Sequence, residues 1–478
     1  MTDSPKDIKK EILAKRLERM KVEGATFGVI IPEVRQVPLV PFLQGNGVIC
    51  EVKRRSPSRG VLDAGLDAVS QASHYRASGV KTVSVLTEED YFQGSLKDLM
   101  EVKLTCPDLA VLRKDFLATE EDIEVSFRAG ADAILLIASL LDFSTLSRLY
   151  FQARALGMSV LMEVHSPEDI EKVRPLRPRF TGINCRDLGS FRIDLMIPLM
   201  VRPFIDWHTK VIFESGIFRL DQALWAGANG FQGVLVGEGA VKNPQLAQEL
   251  AQGFVPCSRP GFWQRLYERK TKETTTRPLV KICGLTRRED VELADRLGAD
   301  LLGFVLAQSP RQTSASFLRS LGGTMALKVG VVVLKAGEEV PQVIQDLLEE
   351  GSLDALQFHG DENAELLDRW GLQGYKALAL QDPAQKEPYY YCPRILVDAF
   401  VPGLVGGTGK TLDPVILESL EPQTLWLAGG LNPENVAAIV KRWQPELVDA
   451  SSGLESAPGI KDRAKLEKYF KELNSGSL

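Results

Sequence analysis

The sequence predicts an α/β protein of two (β/α)8 TIM barrels in tandem. Each half of the 478-residue chain contains eight short apolar runs rich in β-branched residues. Segments with helical character separate these runs, and several end in glycine, as helices commonly do. Apolar strands that alternate with helices indicate a parallel sheet covered on its outer face. Eight such units over roughly 200–250 residues are typical of a TIM barrel, although a doubly wound open sheet gives a similar string with fewer strands.

The first half supplies one complete barrel, which we predict over residues 1–256. Its expected strands are residues 47–53, 81–87, 109–115, 133–139, 159–164, 181–186, 210–215 and 233–238. The charged N-terminal segment has no apolar signal-peptide core. Because Pro5 follows two capping residues, Asp3 and Ser4, this segment is expected to form an extra helix before the first strand.

The second half repeats the plan, and we predict its barrel over residues 278–478. Its expected strands are residues 279–284, 300–307, 327–333, 355–360, 375–380, 394–400, 424–430 and 447–453. Residues 257–277 lie between the two halves and mix proline, glycine, threonine and charge. We interpret them as a linker whose middle forms a short helix.

Composition excludes several classes of function. With 57 Lys and Arg against 63 Asp and Glu, the chain has no basic surplus for nucleic acid. Its six cysteines form no C-x-x-C pair and only four histidines are present, so we expect no disulfide framework, metal or cofactor. Apolar runs such as 133–141 fall short of the ~20 residues that span a bilayer. We therefore expect a cytoplasmic protein, without a membrane partner, that acts on small molecules as a monomer.

Five of the predicted strands of the first half end in charged or amide groups. These residues are Glu51, Lys53, Lys114, Glu163, Asn184, Glu214 and Ser215. In a barrel, the carboxyl ends of all strands share one face, so these side chains are expected to converge. One charge there marks only the point where a strand leaves the core. Several strands ending this way indicate an acid–base site.

Glycines after the last strands of both halves predict phosphate binding. "ESGI" (214–217) and "VGEGA" (236–240) follow the seventh and eighth strands of the first half. "LAGG" and "DASSG" hold the same positions in the second half, and "GGTGK" (406–410) follows its sixth strand. Barrels commonly bind phosphate at these loops through backbone N–H groups. Both halves are therefore expected to take phosphorylated substrates.

Cys283, in "VKICGLTR" (280–287), ends the first strand of the second half. A buried core thiol and a catalytic thiolate are both compatible with this position. The start of the next helix and Arg287 are expected to favour the thiolate. Asp398 ends the sixth strand, so a thiol and a carboxyl can divide base and acid duties across one mouth. His165, by contrast, is interpreted as an ordinary polar residue.

At the level of whole motifs, the first half resembles indole-3-glycerol-phosphate synthase and the second resembles phosphoribosylanthranilate isomerase. "EVKRRSPSRG" (51–60), "LRKDF" (112–116), "MEVHS" (162–166) and "GINCRDL" (182–188) carry the first resemblance. "KICGLTR" (281–287), "LQFHG" (356–360), "GGTGK" (406–410) and "DASSGLE" (449–455) carry the second. The chain is therefore similar to the fusion of these two families in tryptophan biosynthesis.

The isomerase resemblance implies that Cys283 is the general base and Asp398 the general acid of an Amadori rearrangement. It also implies that Arg311 and His359 hold the anthranilate part of the substrate. The implied phosphate-binding residues are Gly406, Gly407, Gly409, Gly429, Gly430, Ser451 and Ser452.

The synthase resemblance implies ring closure with loss of CO₂ and water. Lys114 would be the general acid, Lys53 would contact the anthranilate carboxylate, and Glu51 and Glu163 would share the acid–base steps. Substrate-positioning roles are implied for Asn184, Arg186, Glu214 and Ser215. Phosphate contacts are implied for Ser56, Gly216 and Gly237. An apolar floor for the aromatic ring is implied for Phe92, Phe116, Leu135, Ile137 and Leu188.

Two other readings compete with this one. One is a barrel that binds a phosphosugar without turnover, or a fusion with one inactive barrel. In the other, Lys53 or Lys114 forms a Schiff base, as in aldolase-type barrels. The intact reacting groups argue against an inactive barrel: Cys283, Asp398, Lys114 and Glu163.

Overall fold

The computed structural model forms two compact units, Met1–Gln264 and Arg265–Leu478. It describes residues 8–56, 60–61, 65–186, 193–256, 260–272, 277–379, 392–398 and 425–475. None of the helices in these ranges is long and apolar enough to cross a membrane.

The first unit is a closed barrel of eight parallel strands, as predicted. The sheet closes where the first strand pairs with the last, with Ile49 opposite Leu235. The strands are β1 (Val48–Val52), β2 (Thr82–Leu86), β3 (Ala110–Lys114), β4 (Ala133–Ile137), β5 (Ser159–Val164), β6 (Phe180–Asn184), β7 (Lys210–Glu214) and β8 (Gly233–Val236). Arg55–Ser56 and Gly60–Val61 form a small antiparallel pair after β1.

Helices connect these strands, and their boundaries follow from local capping. Thr119, for example, forms a capping box with Asp122, and Ser166 caps a helix that has Pro167 in its first turn. The helices are α1 (Ile8–Glu23), α2 (Ala68–Ala77), α3 (Leu96–Thr105), α4 (Glu120–Arg128), α5 (Phe143–Ala155), α6 (Pro167–Val173), α7 (Ile197–Val201), α8 (Leu220–Ala228), α9 (Glu238–Lys242) and α10 (Pro244–Gly253).

The predicted extra helix is α1, which is held on the barrel by a buried charge cluster. Its Arg16 is 3% exposed and donates to Asp115 at 3.0 Å and to Asp122 at 2.6 Å. Arg113 also donates to Asp115, at 2.8 Å. Because Asp115 directly follows Lys114, this cluster fixes α1 beside the carboxyl end of β3. The predicted capping residues before Ile8 lie outside the described residues.

The second unit is a second closed barrel of eight parallel strands, again as predicted. It closes where Leu279 of the first strand pairs with Leu447 of the last. The strands are β9 (Leu279–Cys283), β10 (Leu301–Val305), β11 (Leu327–Val332), β12 (Ala355–Phe358), β13 (Gly374–Ala379), β14 (Ile395–Asp398), β15 (Trp426–Leu427) and β16 (Leu447–Ala450).

Around this barrel, the outward-facing strand residues pack against the helices. Val280 and Ile282 belong to that core, so their neighbours on β9, Lys281 and Cys283, face the barrel interior. The described helices are α12 (Arg288–Arg296), α13 (Ala315–Ser320), α14 (Gln342–Glu349), α15 (Ala364–Trp370), α16 (Val436–Trp443) and α17 (Arg463–Ser475).

The predicted linker contains one helix, α11 (Phe262–Lys272). Gln264 belongs to the first unit, where its backbone N–H donates to Asn229 Oδ1 at 2.9 Å. Tyr267 belongs to the second unit, where its hydroxyl donates to the buried Glu446 at 2.8 Å. The linker boundaries at 257 and 277 stay predictions.

Candidate active sites

The polar residues at the strand ends of the first barrel converge on one mouth. Lys114 Nζ, on β3, lies 2.7 Å from Glu214 Oε2 on β7 and 3.6 Å from Glu163 Oε2 on β5. Lys53 Nζ lies 3.2 Å from Glu51 Oε1. Glu51, Lys53, Lys114 and Glu163 line one cavity, and Glu214 reaches it through its pair with Lys114, so these strand-end residues converge.

The environment of this mouth separates its carboxyl groups. Burial and the charge of Glu163 raise the pKa of Glu214 to about 7, although Lys114 opposes them. Burial also acts to raise the pKa of Glu163, but Lys114, His165 and Lys9 outweigh it and the pKa is lowered. Burial acts to lower the pKa of Lys114, yet its carboxylate neighbours raise it overall. The mouth can thus hold a protonated carboxyl, a carboxylate and an ammonium side by side near neutral pH.

Apolar side chains line one wall of the same cavity. Phe92 and Phe116 lie with ring centroids 6.3 Å apart, and Lys53 Nζ is 5.5 Å from the Phe92 centroid. Leu135 and Ile137 of β4 line the cavity with them. This wall suits an aromatic ring whose acidic substituent reaches Lys53. Leu188, the fifth predicted member, lies outside the described residues.

Loop backbone, including residues with positive φ, lines the cavity opposite the apolar wall. Ser215 and Gly216 both have positive φ, 72° and 74°, directly after β7. A methyl group on Gly237 would lie 2.6 Å from Glu51 Oε1, so glycine keeps that space open. Asn184 Oδ1 accepts a hydrogen bond from the Arg186 backbone N–H at 3.0 Å. The side chain of Ser56 lies outside the described set.

Two residues of this mouth were missed by the sequence analysis. His165, interpreted as an ordinary polar residue, has Nε2 3.4 Å from Glu163 Oε1. Lys9 of α1 is 8% exposed and its Nζ lies 3.2 Å from His165 Nε2. The signal in "MEVHS" was the spacing of two between Glu163 and His165, which points both side chains to one side of an extended strand. Nothing in the local sequence identified Lys9, since its place depends on how α1 docks.

The second barrel brings the predicted thiol, carboxyl and imidazole to its own mouth. Cys283 is 9% exposed and Asp398 is 6% exposed. His359 Nε2 lies 3.6 Å from Asp398 Oδ2. Burial, Lys376 and Lys281 lower the pKa of His359 to about 4, so this ring is neutral near pH 7.

A buried polar layer that the sequence analysis missed lies inside the barrel beside Cys283. Lys281 Nζ, fully buried, donates to Gln357 Oε1 at 2.7 Å and to Asp449 Oδ2 at 2.5 Å. The Tyr375 hydroxyl donates to the same Gln357 oxygen at 3.1 Å. Lysine and glutamine in the interior positions of "VKIC" and "LQF" were the available signal, because interior positions of barrel strands are normally apolar.

The charges that act on the Cys283 thiol differ from those predicted. Burial raises the pKa of the thiol, and the Lys281 and Lys461 ammonium groups oppose that rise without cancelling it. The pKa therefore lies above its ordinary value, and the expectation that the surroundings of Cys283 favour the thiolate is wrong for the site without substrate. Arg287, the predicted cation, is instead paired with Asp290 at 2.8 Å. It was chosen because it lies close in sequence, whereas the effective cations come from the barrel interior and from the segment after β16.

The structure also describes most of the substrate-binding residues predicted for this mouth. Arg311 pairs with Glu455 at 2.8 Å, and Lys461 Nζ lies 3.0 Å from the same carboxylate. Gly429 and Gly430 have φ of 94° and 63°, which glycine adopts without strain. Ser451 and Ser452 directly follow β16. The loop with Gly406, Gly407 and Gly409 lies outside the described residues.

Comparisons with known sequence families match both barrels. The family described as "Indole-3-glycerol phosphate synthase" matches residues 36–252. The family described as "N-(5'phosphoribosyl)anthranilate (PRA) isomerase" matches residues 280–472. Together the matches cover both closed barrels.

Curated relatives span both barrels as well. A multifunctional tryptophan biosynthesis protein of Phycomyces blakesleeanus is 29% identical over 94% of this chain and 65% of its own length. The tryptophan biosynthesis protein TrpCF of Yersinia pestis is 32% identical over 90% of this chain and 86% of its own length. Among solved structures, phosphoribosyl anthranilate isomerase from Thermus thermophilus matches 41% of this chain and 98% of its own, at 35% identity and a TM-score of 0.36.

Proposed function

Because the chain belongs to the family of bifunctional tryptophan biosynthesis proteins, with an indole-3-glycerol phosphate synthase and a phosphoribosylanthranilate isomerase domain, we propose that its barrels catalyse two consecutive reactions. The second barrel isomerises N-(5′-phosphoribosyl)anthranilate to 1-(2-carboxyphenylamino)-1-deoxyribulose 5-phosphate. The first barrel converts that product to indole-3-glycerol phosphate with loss of CO₂ and water. The observation that carries the proposal is a separate set of acid and base groups in each mouth.

In the isomerisation, Asp398 donates a proton to the ribose ring oxygen and opens the ring. Cys283, as thiolate, then removes the C2′ proton. The neutral His359 beside Asp398 supports the role of Asp398 as the acid. A neutral imidazole can donate one hydrogen bond, and it does not compete for the proton that Asp398 gives to the ring oxygen. Arg311 and His359 hold the anthranilate part, and the glycine and serine loops after β15 and β16 hold the phosphate.

In the ring closure, Lys114 protonates the carbonyl oxygen as carbon attacks it. Its position between Glu163 and Glu214 supports a proton donor, because these carboxylates keep the ammonium charged until substrate arrives. Lys53 binds the anthranilate carboxylate, with the ring against Phe92 and Phe116. Glu51 and Glu163 serve the remaining proton transfers, while Asn184, Arg186, Glu214 and Ser215 position the substrate.

A Schiff base on Lys114 is disfavoured by the same geometry. An imine requires a neutral amine, whereas two carboxylates within 3.6 Å stabilise the ammonium. Borohydride added with substrate is expected to leave no covalent adduct on either Lys53 or Lys114, and trapping of either lysine would support the alternative.

The direct test supplies phosphoribosylanthranilate to the purified chain and follows both products over time. We expect the deoxyribulose intermediate to appear and then indole-3-glycerol phosphate with release of CO₂. Failure to form either product, with the fold intact, would favour a barrel that only binds its ligand. The unpaired state of all five described cysteines supports a reducing location, and we propose the cytoplasm.

A further inference from the structure

The buried layer beneath the second mouth contacts both of its reacting sides. Lys281 and Cys283 are two residues apart on β9 and face the same way. A methyl group added to Gly303 would lie 2.7 Å from Cys283 Sγ and 3.0 Å from Lys281 Cε, so the thiol and the end of the lysine side chain are close neighbours. Among the cations that act on the thiol, Lys281 has the largest effect toward the thiolate. Its ammonium is therefore placed to hold a thiolate.

The same ammonium determines how Gln357 is oriented. An ammonium can only donate, so the Gln357 atom 2.7 Å from Lys281 Nζ must be the amide oxygen. The Tyr375 hydroxyl reaches this oxygen as well. The amide NH₂ then points the other way, 3.0 Å from His359 Nδ1.

This orientation decides the tautomer of His359. An amide NH₂ can only donate, so Nδ1 must accept and carries no proton. In a neutral ring, the proton is then on Nε2, the atom that faces Asp398 Oδ2 at 3.6 Å. One chain of side chains thus runs from the thiol through Lys281, Gln357 and His359 to the carboxyl.

We propose that Lys281 is a positioning residue for both reacting groups of the second barrel, because its ammonium lies beside the Cys283 thiol and favours the thiolate, and because it fixes, through Gln357, the His359 tautomer that faces Asp398. The proposal rests on the proposed function, in which Cys283 and Asp398 react. The other groups that act on the thiol are Asp449, Lys461, Arg311 and Tyr375. Of the three cations that act on the thiol, Lys281 is the one that lies on the same strand and the same face as Cys283.

The first test measures the thiol without using turnover. The full chain is treated with iodoacetamide over a pH series, and alkylation of Cys283 is followed by peptide mass spectrometry. Lys281→Met should shift the midpoint of the profile upward by about one unit and so slow alkylation near pH 7 about tenfold. Lys281→Arg, which keeps the charge, should restore most of the wild-type profile.

Lys376→Met is the matched control. Lys376 is 1% exposed in the same barrel and pairs with Glu362 at 2.9 Å, so its loss removes an equally buried cation. We expect it to leave the alkylation midpoint of Cys283 unchanged. A folded Lys281→Met protein with the wild-type midpoint, or an equal shift in Lys376→Met, would overturn the proposal.

A second measurement needs no substitution at Lys281 and covers the case in which that variant does not fold. The chain has only four histidines, so ¹⁵N-histidine labelling gives a simple spectrum in which His359→Gln assigns one ring. We expect the proton of His359 on Nε2 at pH 7, and a proton on Nδ1 would contradict the proposal. Neither readout requires catalysis. Retention of isomerase activity by Cys283→Ala would therefore refute the proposed function while leaving the thiol and tautomer results to stand separately.

Discussion

In the first barrel, the groups at the mouth neutralise one another directly, whereas in the second barrel the reacting groups rest on a buried polar layer. Lys114 lies against two carboxylates, and Lys53 pairs with a third. Cys283 and Asp398 are instead connected through Lys281, Gln357 and His359. The same fold thus perturbs pKa values in two ways. The first barrel places several carboxylates and ammonium groups in direct contact, whereas the second places one buried ammonium, Lys281, below the reacting groups.

The strongest test of this comparison is reciprocal inactivation. Cys283→Ala should slow isomerisation about 10²–10⁴-fold, because the base that removes the C2′ proton is lost, and leave ring closure near normal. Lys114→Ala should slow ring closure by a similar factor and spare isomerisation. Each reaction is measured with its own supplied substrate. Loss of both reactions from either substitution would show that the two sites are not independent.

A second test concerns the charge cluster that holds α1 to the first barrel. Arg16→Ala removes the arginine partner of the buried Asp122 and leaves Asp115 with Arg113, which should cost about 3–5 kcal/mol of the free energy of unfolding of the first unit. Arg19→Ala is the control, since its 25% exposed side chain pairs with Glu23 and Glu89 in partly solvated positions, and its loss should cost less than about 1 kcal/mol. Both costs are measured from urea unfolding of the first unit, monitored by amide hydrogen exchange in β3. Equal costs would mean that the cluster does not anchor α1.

The neutral imidazole of the second barrel gives a pH test of stability. The pKa of His359 is about 4 in the folded chain, below the ordinary value of 6.5. The unfolded chain therefore binds the extra proton first, and stability should fall by up to about 3 kcal/mol as pH drops from 6.5 to 4, with no such loss above 6.5. His359→Gln should remove this component from the unfolding of the second unit. Substitution of the exposed His208, in the first unit, is the control. If stability depends on pH with the same slope in His359→Gln as in the unsubstituted chain, the prediction is contradicted.

The smallest expected effect is a change in the shape of one pH profile. Because burial and Glu163 raise the pKa of Glu214 to about 7, kcat/KM for ring closure should bend near pH 7. Glu214→Gln should remove that bend. The isomerase profile, measured on the same samples, should be the same with and without the substitution. A bend that persists in Glu214→Gln would assign it to another group.

The two barrels also differ in how far the sequence could predict them. All sixteen strands were predictable, because apolar β-rich runs alternate with helices throughout. In the first mouth the predicted residues were visible because a charged or amide residue ends five of the eight apolar runs. In the second, the layer of Lys281, Gln357 and Asp449 was missed because these residues lie inside strands, where a single polar residue gives a weak pattern. Lys9 was missed because only tertiary docking brings α1 to Glu163.

Helix α11 limits where a gene for such a two-barrel chain can be divided. The part of α11 in the second unit places Tyr267 and Lys270 on the buried Glu446, and Arg265 on Asp354. A reading frame opened at Arg277 would encode every strand of the second barrel yet omit all three partners. Glu446 would keep Arg394 and Trp426, but its oxygen facing Tyr267 would lose both of its hydrogen bonds. A lineage that separated the two activities into independent genes would therefore have to inherit this helix with the isomerase half, or evolve a replacement for it.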